Sequence, residues 1–144
     1  MRISRAIALA LVLALGLLFA AGCQVGAPAA KSEDSRAAKG YTDVTVQQAK
    51  DMLDKGEGLV LLDVRTPEEY AEGHIQNSKL LPLQELRQRA EKELPKDSTI
   101  VVYCRTGVRS AQASQILVDL GFREVYNVLG GIEAWKAAGA AVVK

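Results

Sequence analysis

The residues with chemistry in them stand together in one stretch, Tyr103-Cys104-Arg105-Thr106-Gly107-Val108-Arg109-Ser110. It follows an apolar, β-branched run at 99–102 and opens a helical pattern at 111–120. A loop between a buried strand and a helix N-terminus is where an α/β sheet places its ligands. Successive backbone N–H groups in such a loop can curl toward one point and cradle an anion. A cysteine at the base of that cradle is held as the thiolate, because the amides, the helix dipole, Arg105 and Arg109 all favour negative charge. Gly107 in mid-loop can take the positive φ that so tight a ring of amides needs. An isolated Cys-Arg pair would read as a strand end followed by a solvated basic turn. Strand, glycine, second arginine and helix in this order read as a nucleophile site.

The composition narrows the chemistry further. The chain has 144 residues, a formal net charge of +1, one histidine and two cysteines, Cys23 and Cys104. That length accommodates one domain with its own core. The balanced charge gives no nucleic-acid footprint. No cluster has zinc-ligand spacing, and two cysteines do not make a disulfide framework, so neither metal nor cofactor is expected.

The elements that must position Cys104 alternate along the chain from residue 41. Residues 41–44 read as a short strand. Thr45 with Gln48 forms a capping box, and Val46, Ala49, Met52 and Leu53 make one helix face that Gly56 stops. The run 59–62 is apolar without alternation, as in a parallel strand covered on both faces. Asp63, Val64 and Arg65 follow at its carboxyl end. Thr66 and Glu69 form a second capping box with Pro67 at the first helical position. Gly73-His74-Ile75 turns the chain into a strand at 78–81. Leu83, Leu86, Ala90 and Leu94 then fall on one stripe that Pro95 ends. Residues 125–128 form the last strand, and Gly130-Gly131 leads a helix through Trp135. Strands alternating with helices imply an α/β fold: a small parallel β-sheet of about five strands, flanked by helices on both faces.

The N-terminal segment has a different character. Arg2 and Arg5 precede an apolar run at 6–21, which ends in Ala20-Ala21-Gly22-Cys23. A basic n-region, a short h-region and small residues at the cut describe a secretory signal at 1–22. The run falls short of the roughly 20 apolar residues a transmembrane helix needs. Small residues directly before a cysteine resemble a bacterial lipoprotein signal, in which Cys23 is lipidated and becomes the new N-terminus. Ala20 departs from that pattern, where leucine is usual three residues before the cysteine. The alternatives are ordinary secretion or an uncleaved anchor. Residues 23–40, rich in Ala, Ser, Lys and Gly, read as a flexible tether.

From residue 41 to 144 the chain resembles a single-domain rhodanese. Three blocks carry the likeness: Asp63-Val64-Arg65 with Tyr70, Gly73-His74-Ile75 and Pro82-Leu83; the loop 104–110; and Val128-Leu129-Gly130-Gly131-Ile132 with Trp135. Asn77 departs from the family, which usually has glycine there, and this leaves the local turn open. The resemblance implies a sulfurtransferase working through a persulfide on Cys104, and the N-terminal signal implies that it is exported. Its partners would be a small anionic sulfur donor such as thiosulfate and a thiol or cyanide acceptor, with lipid holding the domain to a membrane on the periplasmic or cell-surface side. Arg105, Thr106, Gly107, Val108 and Arg109 would bind substrate, with Arg105 pointing out of the loop. Asp63 and Arg65 would buttress the site, His74 would hold a turn, and Trp135 with Gly130-Gly131 would shape one pocket wall.

Three other functions meet obstacles in the residues. Phosphatases of related fold grip phosphate with a Cys-x5-Arg loop, whereas Cys104 and Arg109 enclose four residues. A non-catalytic binding or sensing module would not need so complete a loop, whereas a persulfide carrier for a protein partner stays open as the alternative. A disulfide oxidoreductase lacks a resolving cysteine once Cys23 carries lipid.

The leader yields the first prediction. Labelling with a radioactive fatty acid marks the wild-type protein and leaves Cys23→Ala unmarked. Unlabelled wild-type protein free of the membrane would reject lipidation.

Overall fold

The computed structural model describes residues 40–56 and 58–144. The expected signal at 1–22, the expected lipidation site Cys23 and the expected tether up to residue 39 lie outside the described residues. Among the described residues, no helix is long and apolar enough to cross a membrane.

Five strands form one parallel sheet: β1 (Thr42–Val44), β2 (Val60–Asp63), β3 (Lys79–Leu80), β4 (Ile100–Tyr103) and β5 (Val125–Val128), in the order β1-β5-β4-β2-β3. Among the described residues, four helices connect them, α1 (Val46–Lys55), α2 (Pro67–Glu72), α3 (Leu86–Glu93) and α4 (Val108–Asp119), and a fifth, α5 (Gly131–Ala137), follows β5. The expected fold class is the one observed.

The sheet is apolar on both faces because both are covered. Along β4, Ile100 and Val102 enter a core with Leu86 and Ala90 of α3 and Ala113 and Leu117 of α4. Val101 and Tyr103 point the other way, into a core with Ala49 of α1 and Ile132 and Trp135 of α5. All four β4 residues are fully buried, which accounts for a strand without polar alternation. Each large side chain so buried contributes about 1.5–3 kcal/mol.

The helix starts follow local chemistry. Both expected capping boxes are present, Thr45 with Gln48 on α1 and Thr66 with Glu69 on α2. Gly56 ends α1 with an extended φ of −94°, so it stops the helix without the left-handed cap usual for glycine. Helix α4 begins three residues before the expected 111, because Gly107 at φ 96° turns the loop directly into the helix. Asn77, the departure from the rhodanese pattern, has φ 64° and is the one non-glycine with positive φ among the described residues. Asparagine tolerates that conformation, so the turn into β3 survives the loss of glycine.

The topology fixes where the site lies. From β4 the chain passes through α4 to β5, and from β2 through α2 to β3, on the opposite side. The carboxyl ends of β2 and β4 therefore border the crevice where an open α/β sheet binds ligands. At the β2 end Asp63 is 0% and Arg65 4% exposed. Arg65 donates through Nε at 3.0 Å and Nη2 at 2.6 Å to the Asp63 carboxylate, and through Nη2 at 2.9 Å to the Gly73 carbonyl. The pair ties the strand end to the turn after α2.

Removing one member of a buried pair strands the other charge. Asp63→Ala is expected to lower the unfolding free energy by about 3–5 kcal/mol, read as an earlier urea midpoint at unchanged slope.

Candidate active site

The end of β4 delivers Cys104 to the floor of the loop, where it is 1% exposed and is a free thiol. The Gly107 N–H points at Sγ from 3.1 Å, and the Ser110 hydroxyl lies 3.4 Å away. Burial pushes the thiol pKa up. The Ser110 hydroxyl and the amides of Ser110, Gly107 and Thr106 outweigh burial, so the net pKa lies below that of an ordinary cysteine. The amide cradle read from the sequence is therefore present.

The loop is strapped from outside by the start of α5. Ile132 N–H donates to the Cys104 carbonyl at 2.9 Å, and Glu133 N–H to the Arg105 carbonyl at 3.1 Å. Two carbonyls that would oppose an anion are thus turned away from the cradle. Gly131 permits this approach: a Cβ there would sit 2.3 Å from the Cys104 carbonyl oxygen.

Arg109 differs from its expected role. Instead of directing its fork into the ring, it donates from Nη1 and Nη2, each at 2.7 Å, to the two oxygens of Glu69. Its cation still adds a Coulombic interaction with Cys104, but the main partner is the carboxylate. The reason is geometric. Glu69 must turn back to the Thr66 amide to complete its capping box, at 3.2 Å, and this holds the carboxylate in front of the α4 N-terminus. The Arg109 hydrogen bonds hold the Glu69 pKa down at about 2.

The remaining candidates separate cleanly. Arg105 points out of the loop, its side chain 66% exposed, with Nε 3.4 Å from Glu133. Thr106 and Val108 are exposed on the loop rim. Together with Arg65, Glu69 and Lys136, Arg105 and Glu133 line a cleft of about 140 Å³. His74 is a turn residue: its ring stacks on Tyr70 at 3.7 Å, and its backbone exchanges two 2.8 Å hydrogen bonds with Val143. Trp135, expected on a wall of the thiol pocket, instead lines a separate cavity of about 680 Å³ with Leu53, Leu59 and Ile75. It belongs to the core on the α1 side of the sheet, and Ile132 and Glu133, one turn earlier, take the place beside the loop.

Sequence reasoning missed three contributors: Glu69, read only as a cap, Ser110, included in the loop without a role of its own, and Asn127, read only as strand. Ser110 and Asn127 are buried, at 0% and 2% exposure. A serine on the first turn after the cysteine and a polar residue inside an apolar strand were the available signals.

Comparison with known proteins agrees with this geometry. The family of rhodanese-like domains matches residues 45–138. The thiosulfate sulfurtransferase GlpE of Coxiella burnetii is 38% identical over 100 residues, covering 67% of this chain and 89% of that protein. The probable adenylyltransferase/sulfurtransferase MoeZ of Mycobacterium tuberculosis is 41% identical over 102 residues, 70% of this chain but only 26% of that longer protein. The crystal structure of a rhodanese-related protein from Thermoplasma volcanium superposes with a TM-score of 0.64 at 35% identity, covering 72% of this chain and 98% of the other. The chain belongs to the rhodanese-like family.

The clamp has a pH signature. A carboxylate whose folded pKa is depressed from 4.5 to about 2 adds stability that is complete above the higher value and lost as pH falls through the lower one. The stability difference between wild type and Glu69→Gln is therefore expected to be constant above pH ~5 and to shrink toward zero near pH ~2, as followed by urea unfolding.

Proposed function

We propose, from this family membership and the geometry of the loop, that the protein is a sulfurtransferase carrying sulfane sulfur on Cys104. The observation that supports it most directly is a buried thiol with an amide N–H 3.1 Å from Sγ and a pKa below the ordinary value. Such a sulfur is a nucleophile without a general base.

The reaction runs in two displacements. The Cys104 thiolate attacks the outer sulfur of thiosulfate, the S–S bond of the donor breaks, and sulfite leaves with the bonding pair. An acceptor thiolate or cyanide then attacks the outer sulfur of the persulfide, and Cys104 departs as thiolate. The same amides face a negatively charged sulfur in both half-reactions, so the ring works as an electrostatic device of the oxyanion-hole type. Arg105 at the rim supplies a cation to an arriving anionic donor, and Arg109 supports the loop through Glu69.

The committed fork of Arg109 also weighs against phosphate chemistry. A phosphate-gripping loop needs its arginine for the equatorial oxygens, and here both of its outer nitrogens are bound to a carboxylate. The leader at 1–22 and lipid on Cys23 would set the domain at a membrane on the exported side.

Thiosulfate treatment of the protein, followed by mass analysis of its Cys104 peptide, is expected to show the gain of one sulfur atom with release of sulfite. The adduct is absent in Cys104→Ser. Wild-type protein that gains no sulfur and releases no sulfite would reject the proposal in favour of a binding module.

A further inference from the structure

A buried chain of polar side chains leads away from the thiol across two strands. The Ser110 hydroxyl, 3.4 Å from Sγ, lies 2.6 Å from Oδ1 of Asn127 and 3.1 Å from the Gly107 carbonyl. Asn127 Nδ2 in turn donates at 2.7 Å to Oδ1 of Asp43. Asp43 and Asn127 are register partners on the neighbouring strands β1 and β5. Ser110 and Asn127 are buried, whereas Asp43 is exposed.

The proton count makes this arrangement informative. A carboxylate only accepts, so Asp43 requires the amide nitrogen of Asn127 on its side and thereby turns the amide oxygen to Ser110. A serine hydroxyl has one proton, and three acceptors lie within its reach: the amide oxygen, the thiolate, and the Gly107 carbonyl, which already accepts from the Ala111 amide at 3.1 Å and so leaves the first two as the competitors that lack another side-chain donor. While Cys104 is a thiol, every group is satisfied: S–H donates to the serine oxygen and the serine O–H donates to Asn127. When the thiol loses its proton to solvent, the serine O–H must turn to sulfur, and the buried Asn127 oxygen loses its donor. Leaving a buried acceptor unpaired carries a free-energy cost. Amide orientation on β5 is therefore coupled to ionisation on the active loop.

We propose that Asp43, acting through Asn127 and Ser110, holds the Cys104 thiolate back from full stabilisation, so that Asp43 and Asn127 are positioning residues that set the reactivity of the nucleophile. The inference rests on Cys104 as the reacting thiol of the proposed function. The charged groups around the loop stay constant in the variants below. They are Arg109 on α4 against Glu69 on α2, the Asp63–Arg65 pair at the end of β2, and Arg105 against Glu133 on α5.

The test is a double-mutant cycle on the full-length protein, with the pH dependence of iodoacetamide alkylation read at the Cys104 peptide. Asp43→Asn keeps the size of an exposed side chain, frees the Asn127 amide to turn its nitrogen to Ser110, and releases the serine proton to sulfur. Its expected effect is a fall in the Cys104 pKa, read as the midpoint of the alkylation pH profile, of about half a unit to one unit, equivalent to about three- to tenfold more thiolate at a given low pH. In the Ser110→Ala background the same substitution is expected to leave the pKa where Ser110→Ala alone put it. An equal fall in both backgrounds would overturn the relay, since loss of a distant negative charge acts without Ser110. An unchanged or raised pKa in Asp43→Asn alone would also overturn it. Alkylation reads the thiol directly, so this outcome is separable from a failure of thiosulfate to load Cys104.

Discussion

A sulfur anion at 1% exposure is tolerable only if fixed donors replace the water it has lost. That constraint orders the rest of the molecule. Loose amides would have to reorganise on each ionisation, whereas a ring with its donors already turned inward pays this cost once, during folding. Strand β4 is buried on both faces, so the Cys104 backbone has no freedom to move the thiol outward. The α5 start then removes the loop carbonyls from the ring, and the contact requires Gly131, because any Cβ would collide with the Cys104 oxygen. On the other side, the Glu69–Arg109 fork joins α2 to the first turn of α4. Sheet, strap and clamp hold the loop from three directions.

The order of strands and helices was legible because each signal for it was local. Both capping boxes, the apolar run of β4, and Gly107 at its positive φ lie within a few residues of what they control. The floor of the site was legible for the same reason, since Cys104, Gly107 and the helix that follows form one continuous segment. What escaped notice spans long distances in the chain. Glu69 and Arg109 are 40 residues apart, and Asp43 and Asn127 are 84 apart. A glutamate explained fully by its own helix gives no sign of a second partner. Trp135 was misplaced for a related reason: the helical pattern shows that a side chain is buried, and packing decides against which neighbours.

A persulfide cycle on Cys104, as proposed above, would make two opposed demands on one sulfur. In the first displacement Cys104 is the nucleophile, and intrinsic nucleophilicity falls as thiol pKa falls, with a Brønsted slope of about 0.4–0.5. Below ambient pH, a further drop in pKa adds almost no thiolate and only weakens the attack. In the second displacement Cys104 is the leaving group, and a lower pKa speeds its departure. A ring that stabilised the thiolate without limit would load slowly and unload quickly, and one that did so too little would be mostly protonated. Burial raises the pKa while Ser110 and the amides lower it, so the net value is the difference of opposed terms. Such a balance can be moved by side chains that never touch substrate. The buried serine, with one proton between sulfur and an amide oxygen, is the group through which the sheet adjusts it.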